Sequence, residues 1–343
     1  MYDGSTDVVK HPADGYGAPV RLGLSTVWAR SRRLGPDAVV DLLLRSGADG
    51  VELDDSLDGG LLEELVRRLG ARRDELAVWI VENVCPASSA ARAELGSRDR
   101  GESDAAIAAG IESVRLAGEL EAPLVLLRLG EVATAKPDWP DARRAFLRGE
   151  LDADSAVRAR LVAHRAAGAR AHLDPLRRAL ERIARAADAG GVTLGLRNPS
   201  RFIGLPDPIE LRLLLDELAG APLAPAFDAP AAHLVDAMGL GPLADTLAAW
   251  QAAPACHLAD ACGPIAGLPP GSGELDLAAV VAALDPAATF IFTPSAALDE
   301  SEVFAALASL RTLLADAAAA RARADAAAKE AALRAAQEAA RGS

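Results

Sequence analysis

His257-Leu-Ala-Asp260, a linker rich in glycine and proline, and then Pro270-Gly-Ser-Gly-Glu-Leu-Asp-Leu277 decide how this chain folds. A short apolar run ends in a histidine and an aspartate, a tight loop follows, and a helix begins just beyond it. That order is the carboxyl end of a parallel strand, its βα loop and the next helix. In parallel α/β folds this end of the sheet carries the chemistry. Two more runs, Leu194-Gly-Leu-Arg-Asn198 and Ala226-Phe-Asp228, close in the same way and are expected to open onto the same mouth.

Working outward, strands are expected over 21–28, 48–53, 76–83, 123–129, 192–197, 222–228, 254–258 and 288–293. Helices are expected over 36–46, 61–70, 103–120 (with Ser103 as N-cap), 173–189, 207–219, 242–252, 275–284 and 300–315. Strand and helix alternate eight times, which predicts an α/β fold, a (β/α)8 TIM barrel, over residues 20–315. An open doubly wound sheet seldom needs eight regular units. Residues 1–19, rich in Gly, Pro and Asp, form an irregular leader, and 85–101 reads as a loop. The longest excursion, 130–171, is broken by Pro137, Trp139 and Pro140 before a basic helix over 155–170, where His164 and His172 are expected to be solvated. Residues 316–343 form an Ala-rich tail, helical by propensity. It is expected to extend the last barrel helix into solvent, and the competing reading is an alanine-faced subunit contact.

Composition narrows the partners. A net charge of -13 argues against a nucleic-acid backbone. No uninterrupted apolar run is long enough for a bilayer, and the first residues lack the basic and apolar regions of a signal peptide. Three cysteines, Cys85, Cys256 and Cys262, read as reduced thiols in a cytoplasmic protein.

Strand parity sorts the polar side chains. Gly195, Arg197, Asp228, His257, Ala259 and Thr293 are expected to face the barrel axis, as are Glu52, Glu82 and Arg128. So many inward polar groups at one end are hard to read as core packing, because buried charges are rare unless paired. A ligand pocket and a salt-bridged plug both remain open.

At these residues the chain resembles the xylose isomerase-like TIM barrels, the group of sugar phosphate isomerases and epimerases. The landmarks are Gly50-Val-Glu-Leu53, Glu82-Asn-Val-Cys-Pro86, Leu126-Leu-Arg-Leu-Gly130, Val192-Thr-Leu-Gly-Leu-Arg-Asn198, Phe227-Asp228, His257-Leu-Ala-Asp260 and Pro269-Pro-Gly-Ser-Gly-Glu-Leu-Asp276. The resemblance implies a divalent metal held by carboxylates ending the fifth, sixth and eighth strands and a histidine ending the seventh. Asp228 and His257 match that set as vestigial ligands, but Arg197 and Thr293 stand at the two glutamate positions. Arg128 and Ala231 stand where family histidines are implied. An arginine keeps its charge at neutral pH and repels a divalent cation.

The expectation is therefore a metal-free pseudoenzyme or binding protein. It would take a small polar or anionic ligand, or a polyol, through Arg128, Arg197, Asn198, Asp228, His257 and Asp260, with no cofactor. Arg197 is expected to contact Asp228. A second reading is an active sugar isomerase or epimerase, requiring Mn, Mg or Zn, in which Glu52 or Glu82 works with Asp228 and His257. A third is a structural subunit that self-associates or pairs with a paralogue.

Overall fold

In the computed structural model, residues 21–55, 57, 59–83, 93–133 and 138–341 are described. The leader, Cys85 and the rest of the 85–92 part of that loop, and Pro137 lie outside them. The strands are β1 (Leu22–Ser25), β2 (Gly50–Leu53), β3 (Ala77–Glu82), β4 (Leu124–Leu127), β5 (Thr193–Arg197), β6 (Leu223–Asp228), β7 (Ala255–His257), β8 (Asp260–Cys262), β9 (Ile265–Leu268) and β10 (Thr289–Phe292). Eight of them are parallel and close into a barrel in the order β1-β10-β7-β6-β5-β4-β3-β2, while β8 and β9 form a separate antiparallel hairpin. The helices are α1 (Val27–Ser31), α2 (Pro36–Arg45), α3 (Gly59–Ala71), α4 (Arg100–Glu119), α5 (Asp138–Leu147), α6 (Ala156–Gly190), α7 (Pro208–Glu217), α8 (Ala229–Ala237), α9 (Leu243–Trp250), α10 (Leu277–Ala283) and α11 (Glu300–Arg341). The expected barrel is the observed one.

Two apolar layers hold it together. Between strands and helices lies the main core, with Leu24, Leu43, Val51, Leu65, Val125, Leu194, Phe227 and Phe292 among its members. Inside the bore, toward the strand starts, Trp79, Leu124, Leu126, Ala226, Ala255 and Ile291 pack together. Trp79 fits because its neighbour is Gly50, where a Cβ would overlap the indole. A register shift between β2 and β3 matches Val51 to Val78 but Glu52 to Ile80. The inserted residue is Trp79, so Trp79 and Glu82, three apart, both point inward, which strict alternation forbids.

Several boundaries differ from the sequence reading, each for a local reason. Asp99, not Ser103, caps α4, its Oδ1 accepting the Glu102 N–H at 2.8 Å. The excursion contains α5, because Pro140 falls in its first turn, where no intrahelical N–H is required. The two helices expected over 155–189 are one, α6, which runs through Pro175. Helix α8 begins directly at Asp228, and the linker after Asp260 folds into the hairpin.

The tail continues α11 without a break. Val303, Leu307, Leu310 and Leu314 bury its first turns against the barrel. Arg321 donates to the carbonyls of Val281 and Leu284, the latter at 2.9 Å, and residues 322–338 are exposed. By length and composition alone, this helix is apolar enough to cross a membrane, although charged residues interrupt its apolar run. Its most apolar stretch has a mean hydropathy of 1.5, and 28% of that stretch is buried within the molecule.

Candidate functional site

Above the apolar plug, the strand ends deliver charged groups into one mouth. His257, at the end of β7, lies between two carboxylates: its Nε2 is 2.5 Å from Glu52 Oε2 and its Nδ1 is 3.4 Å from Asp228 Oδ2. Burial works against a charge on this ring, but Glu52 and Asp228 outweigh it and push the pKa up to about 10. The ring is an imidazolium at neutral pH, so both N–H groups donate. Arg197, at the end of β5, reaches across the mouth and pairs with Glu82 on β3. Its Nη1 also passes 3.4 Å from His257 Nδ1.

Burial alone would raise the carboxyls of Glu82 and Asp228. Arg197 with His257 and Arg128 holds Glu82 below the usual range, and His257 with Arg197 does the same for Asp228. Asp228 Oδ1 also accepts the Ala231 N–H at 2.9 Å, so the carboxylate caps α8 while its other oxygen faces the histidine. At the rim Arg128 pairs with Asp55. Burial and the nearby Glu82 raise the Asp55 carboxyl above its ordinary value, against the pull of Arg128. Glu52, Asp55, Glu82 and Asp228 thus face Arg128, Arg197 and His257, and the two signs balance to within one charge.

The expected contact between Arg197 and Asp228 is not the one made. The guanidinium goes to Glu82, because the β3 bulge brings that carboxylate inward. Asn198 is spent on the main chain of Asp228. Its Nδ2 donates to the Asp228 carbonyl at 3.0 Å and its Oδ1 accepts the Asp228 N–H at 2.6 Å, which locks the ends of β5 and β6 together. Asp260, expected to touch ligand, is instead the organiser of the Pro-Gly-Ser-Gly loop. It is 1% exposed and accepts N–H groups from Ala261, Gly271, Gly273 and Leu275 at 2.8–3.1 Å. Ala259 packs in the outer core rather than facing the axis, because the chain leaves the barrel after His257.

The mouth has two lobes that share Arg128, Arg197, Ser200 and Asp228. The inner lobe, about 440 Å³, includes Glu52, Asp55, Glu82, His257 and Thr293. The outer lobe, about 640 Å³, lies over β4 and β5 and includes Glu94, Glu131, Asn198 and Arg201. Both volumes suit a small molecule.

Three βα loops form the outer rim, and main-chain bonds tie them together: Gly96 N–H to Leu129 O at 2.9 Å, Val132 N–H to Ile203 O at 2.7 Å, and Leu205 N–H to Gly130 O at 2.9 Å. Two buried side chains from α6 fasten this rim. His172, expected in solvent, is 4% exposed; its Nδ1–H donates to Gly96 O at 2.8 Å and its Nε2 accepts the Ala133 N–H at 3.1 Å. Arg165 donates to the carbonyls of Phe202 and Gly204 and forms a two-pronged pair with Glu210 at 2.7 and 2.8 Å. The sequence reading missed both. The signal present was spacing: residues seven apart lie on one helix face. Some other arginines in and beside this stretch are ion-paired, Arg144 with Asp141 and Arg160 with the buried Asp138 among them, while Arg158 donates to the Ala153 carbonyl.

As for metal chemistry, Glu52, Asp228 and His257 carry the donor atoms. Both histidine nitrogens, however, are turned to carboxylates, and a guanidinium passes beside the ring. Among the described residues, no group of three or more His, Cys, Asp or Glu side chains is arranged to hold a metal ion. As arranged, the donor set does not fit a divalent cation, which needs several oxygen or nitrogen donors converging on one point.

Residues 40–290 match the family of the xylose isomerase-like TIM barrel. No curated protein sequence matches the chain. Among solved structures, a D-tagatose 3-epimerase-like protein aligns with a TM-score of 0.63 at 16% identity over 87% of this chain and 98% of its own. An L-ribulose 3-epimerase aligns with a TM-score of 0.62 at 17% identity over 90% and 98%. A protein from Thermus thermophilus, soaked with zinc chloride, aligns with a TM-score of 0.54 at 22% identity over 87% and 99%.

Proposed function

Since the chain belongs to the xylose isomerase-like TIM barrel family yet ends β5 in an arginine, we propose that it is a metal-free member that binds a small polar or anionic ligand. The observation that carries this reading is the ion-pair set of Arg197 with Glu82 and of His257 with Glu52 and Asp228. Two of the protein's own cations face these three carboxylates and leave one net negative charge among them. A divalent ion entering there would have to displace a guanidinium that cannot lose its charge. Ligand hydroxyls and anionic groups would instead meet Arg128, Arg197 and the exposed edge of Asp228. The reading places the protein in the cytoplasm, where Cys256 and Cys262, both free, stay reduced. Its net charge of -13 disfavours nucleic acid and anionic membranes as partners.

The test is to rebuild the missing ligands. Arg197→Glu combined with Thr293→Glu puts carboxylates back at the ends of β5 and β10. The double variant is expected to bind Mn²⁺ measurably by calorimetry. If it folds and still binds none, Arg197 is not what excludes the metal.

A second reading, residual isomerase or epimerase chemistry, draws on the short Glu52–His257 contact, which links a buried acid and a buried base. Solvent deuterium entering a ketose pool only in the presence of protein would support it. No exchange above background, with and without Mn²⁺, would leave ligand binding as the role.

A further inference from the structure

The outer lobe has a feature that the metal question leaves aside. Two of its arginines stand at the rim, about half exposed, and each is held by a single carboxylate in reach of solvent. Arg128 (55% exposed) pairs with Asp55 across the boundary between the lobes. Arg201 (54% exposed) pairs with Glu131, Nη1 to Oε1 at 2.9 Å. Ser200 and Arg197 also line this lobe.

These pairs differ in kind from the buried ones. Arg165 is 5% exposed and has its donors committed to two carbonyls and a two-pronged carboxylate, so it is a fixed part of the frame. With the guanidinium half exposed, water screens each pair (Asp55 itself is 19% exposed and Glu131 31%), so each is worth less than a buried one. The half-exposed guanidinium can therefore exchange one oxyanion for another at small cost, and a forked guanidinium matches carboxylate, phosphate and sulfate alike. The backbone around these arginines does not have to move for that exchange. The loops that carry Arg128 and Arg201 are cross-bonded to each other and fastened from behind by His172 and Arg165. Preorganisation of this kind lowers the ordering cost of binding.

We infer that the outer lobe is an oxyanion subsite: the anionic group of a small-molecule ligand sits between Arg128 and Arg201, displacing Asp55 and Glu131, which act as built-in competitors. The inference rests on the ligand-binding reading above and assigns the charged end of that ligand to the outer lobe. Its uncharged remainder lies toward Arg197 and Asp228.

The geometry makes a two-signed forecast that a general electrostatic effect would not. Removing an arginine weakens anion binding, and removing its resident carboxylate strengthens it. Glu94 supplies the control. It lines the same lobe, and its Oε2 accepts the Glu131 N–H at 3.0 Å; it feels Arg201 through space, but among the described residues it pairs directly with no arginine, so its neutralisation frees none.

The experiment is a calorimetric titration of the full chain with sodium sulfate at constant ionic strength, sulfate being doubly charged at every pH used. Saturable sulfate binding is expected. Arg128→Gln and Arg201→Gln should each weaken it about tenfold, the loss of one charge-assisted pair. Asp55→Asn and Glu131→Gln should each tighten it about threefold, the worth of an exposed competitor pair. Glu94→Gln should stay within about twofold of the parent, as a group that releases no guanidinium. Absence of saturable binding, parental affinity in both arginine variants, or weaker binding after loss of either competitor would overturn the subsite. A parallel Mn²⁺ titration separates the two proposals. Metal binding there would defeat the metal-free reading, and the sulfate series would still decide the subsite.

Discussion

The barrel is filled twice along its axis, by opposite chemistry. Near the strand starts, Trp79, Ile291 and Leu124 occupy the bore, and Arg21 lies 4.5 Å above the Trp79 ring. Near the strand ends, Glu52, Glu82, Asp228, Arg197 and His257 occupy the same bore as paired ions. The apolar layer is stable in itself, since burying its surface releases free energy. The ionic layer is not. Each charge taken from water costs several kcal/mol, and the pairing only roughly restores it. A layer that contributes little to stability fits the ligand-binding role proposed above, since barrel enzymes keep their sites at this end. The contrast also says how each layer fails: the lower one through cavities, the upper one through orphaned charges.

The largest expected effect lies in the lower layer. Trp79→Ala empties the bore beside Gly50 and should cost about 3–5 kcal/mol, read as a drop in the chemical-denaturation midpoint. A loss under about 1 kcal/mol would mean the bore collapses around the gap, and the layers would differ less than described.

Next comes the upper layer. Arg197→Met leaves Glu82 and Asp228 buried without their guanidinium and should cost about 3 kcal/mol. Adding Glu82→Leu to that variant should recover most of the loss, because an apolar pair can replace a buried ion pair. A double variant no better than the single one would show that Arg197 serves mainly Asp228.

The upper layer alone should respond to alkaline pH. His257 has its pKa raised from 6.5 to about 10 in the native state. The folded protein keeps a proton that the unfolded chain releases, so this contribution is complete below about 6.5, shrinks as pH rises, and is gone above about 10. Stability of the parent should fall by a few kcal/mol over that window, and His257→Gln should flatten the fall. Equal slopes in both proteins would mean that the ring is neutral in the mouth.

The smallest effect belongs to the exposed end of α11. Ending the chain after Arg323 keeps the Arg321 bonds to Val281 and Leu284 and should leave the melting temperature unchanged. A clear drop, or a change in oligomeric state by light scattering, would show that residues 324–341 meet a partner.

Alternation of apolar runs with helical stretches made the barrel legible in the sequence, and parity correctly turned Arg197, Asp228 and His257 inward. Parity could not see the bulge at Trp79, which needs the register of two strands. Glu82 was expected to face inward, but its partner was not anticipated. The roles of Asp260 and Asn198 were hidden because both side chains bond to backbone, and backbone geometry leaves no mark in composition. His172 read as solvated and Arg165 was not singled out, because the loops they fasten come from three separate places in the chain.

The central claim is that Arg197 stands where a divalent cation would sit. Equilibrium dialysis of the unmodified protein against Mn²⁺, Mg²⁺ and Zn²⁺ in turn, with elemental analysis of the retained fraction, tests it most directly. The account predicts far less than one equivalent retained for each metal and no change in the alkaline stability slope set by His257. Retention of one equivalent, with loss of that slope as the imidazole gives up its proton to become a ligand, would contradict it.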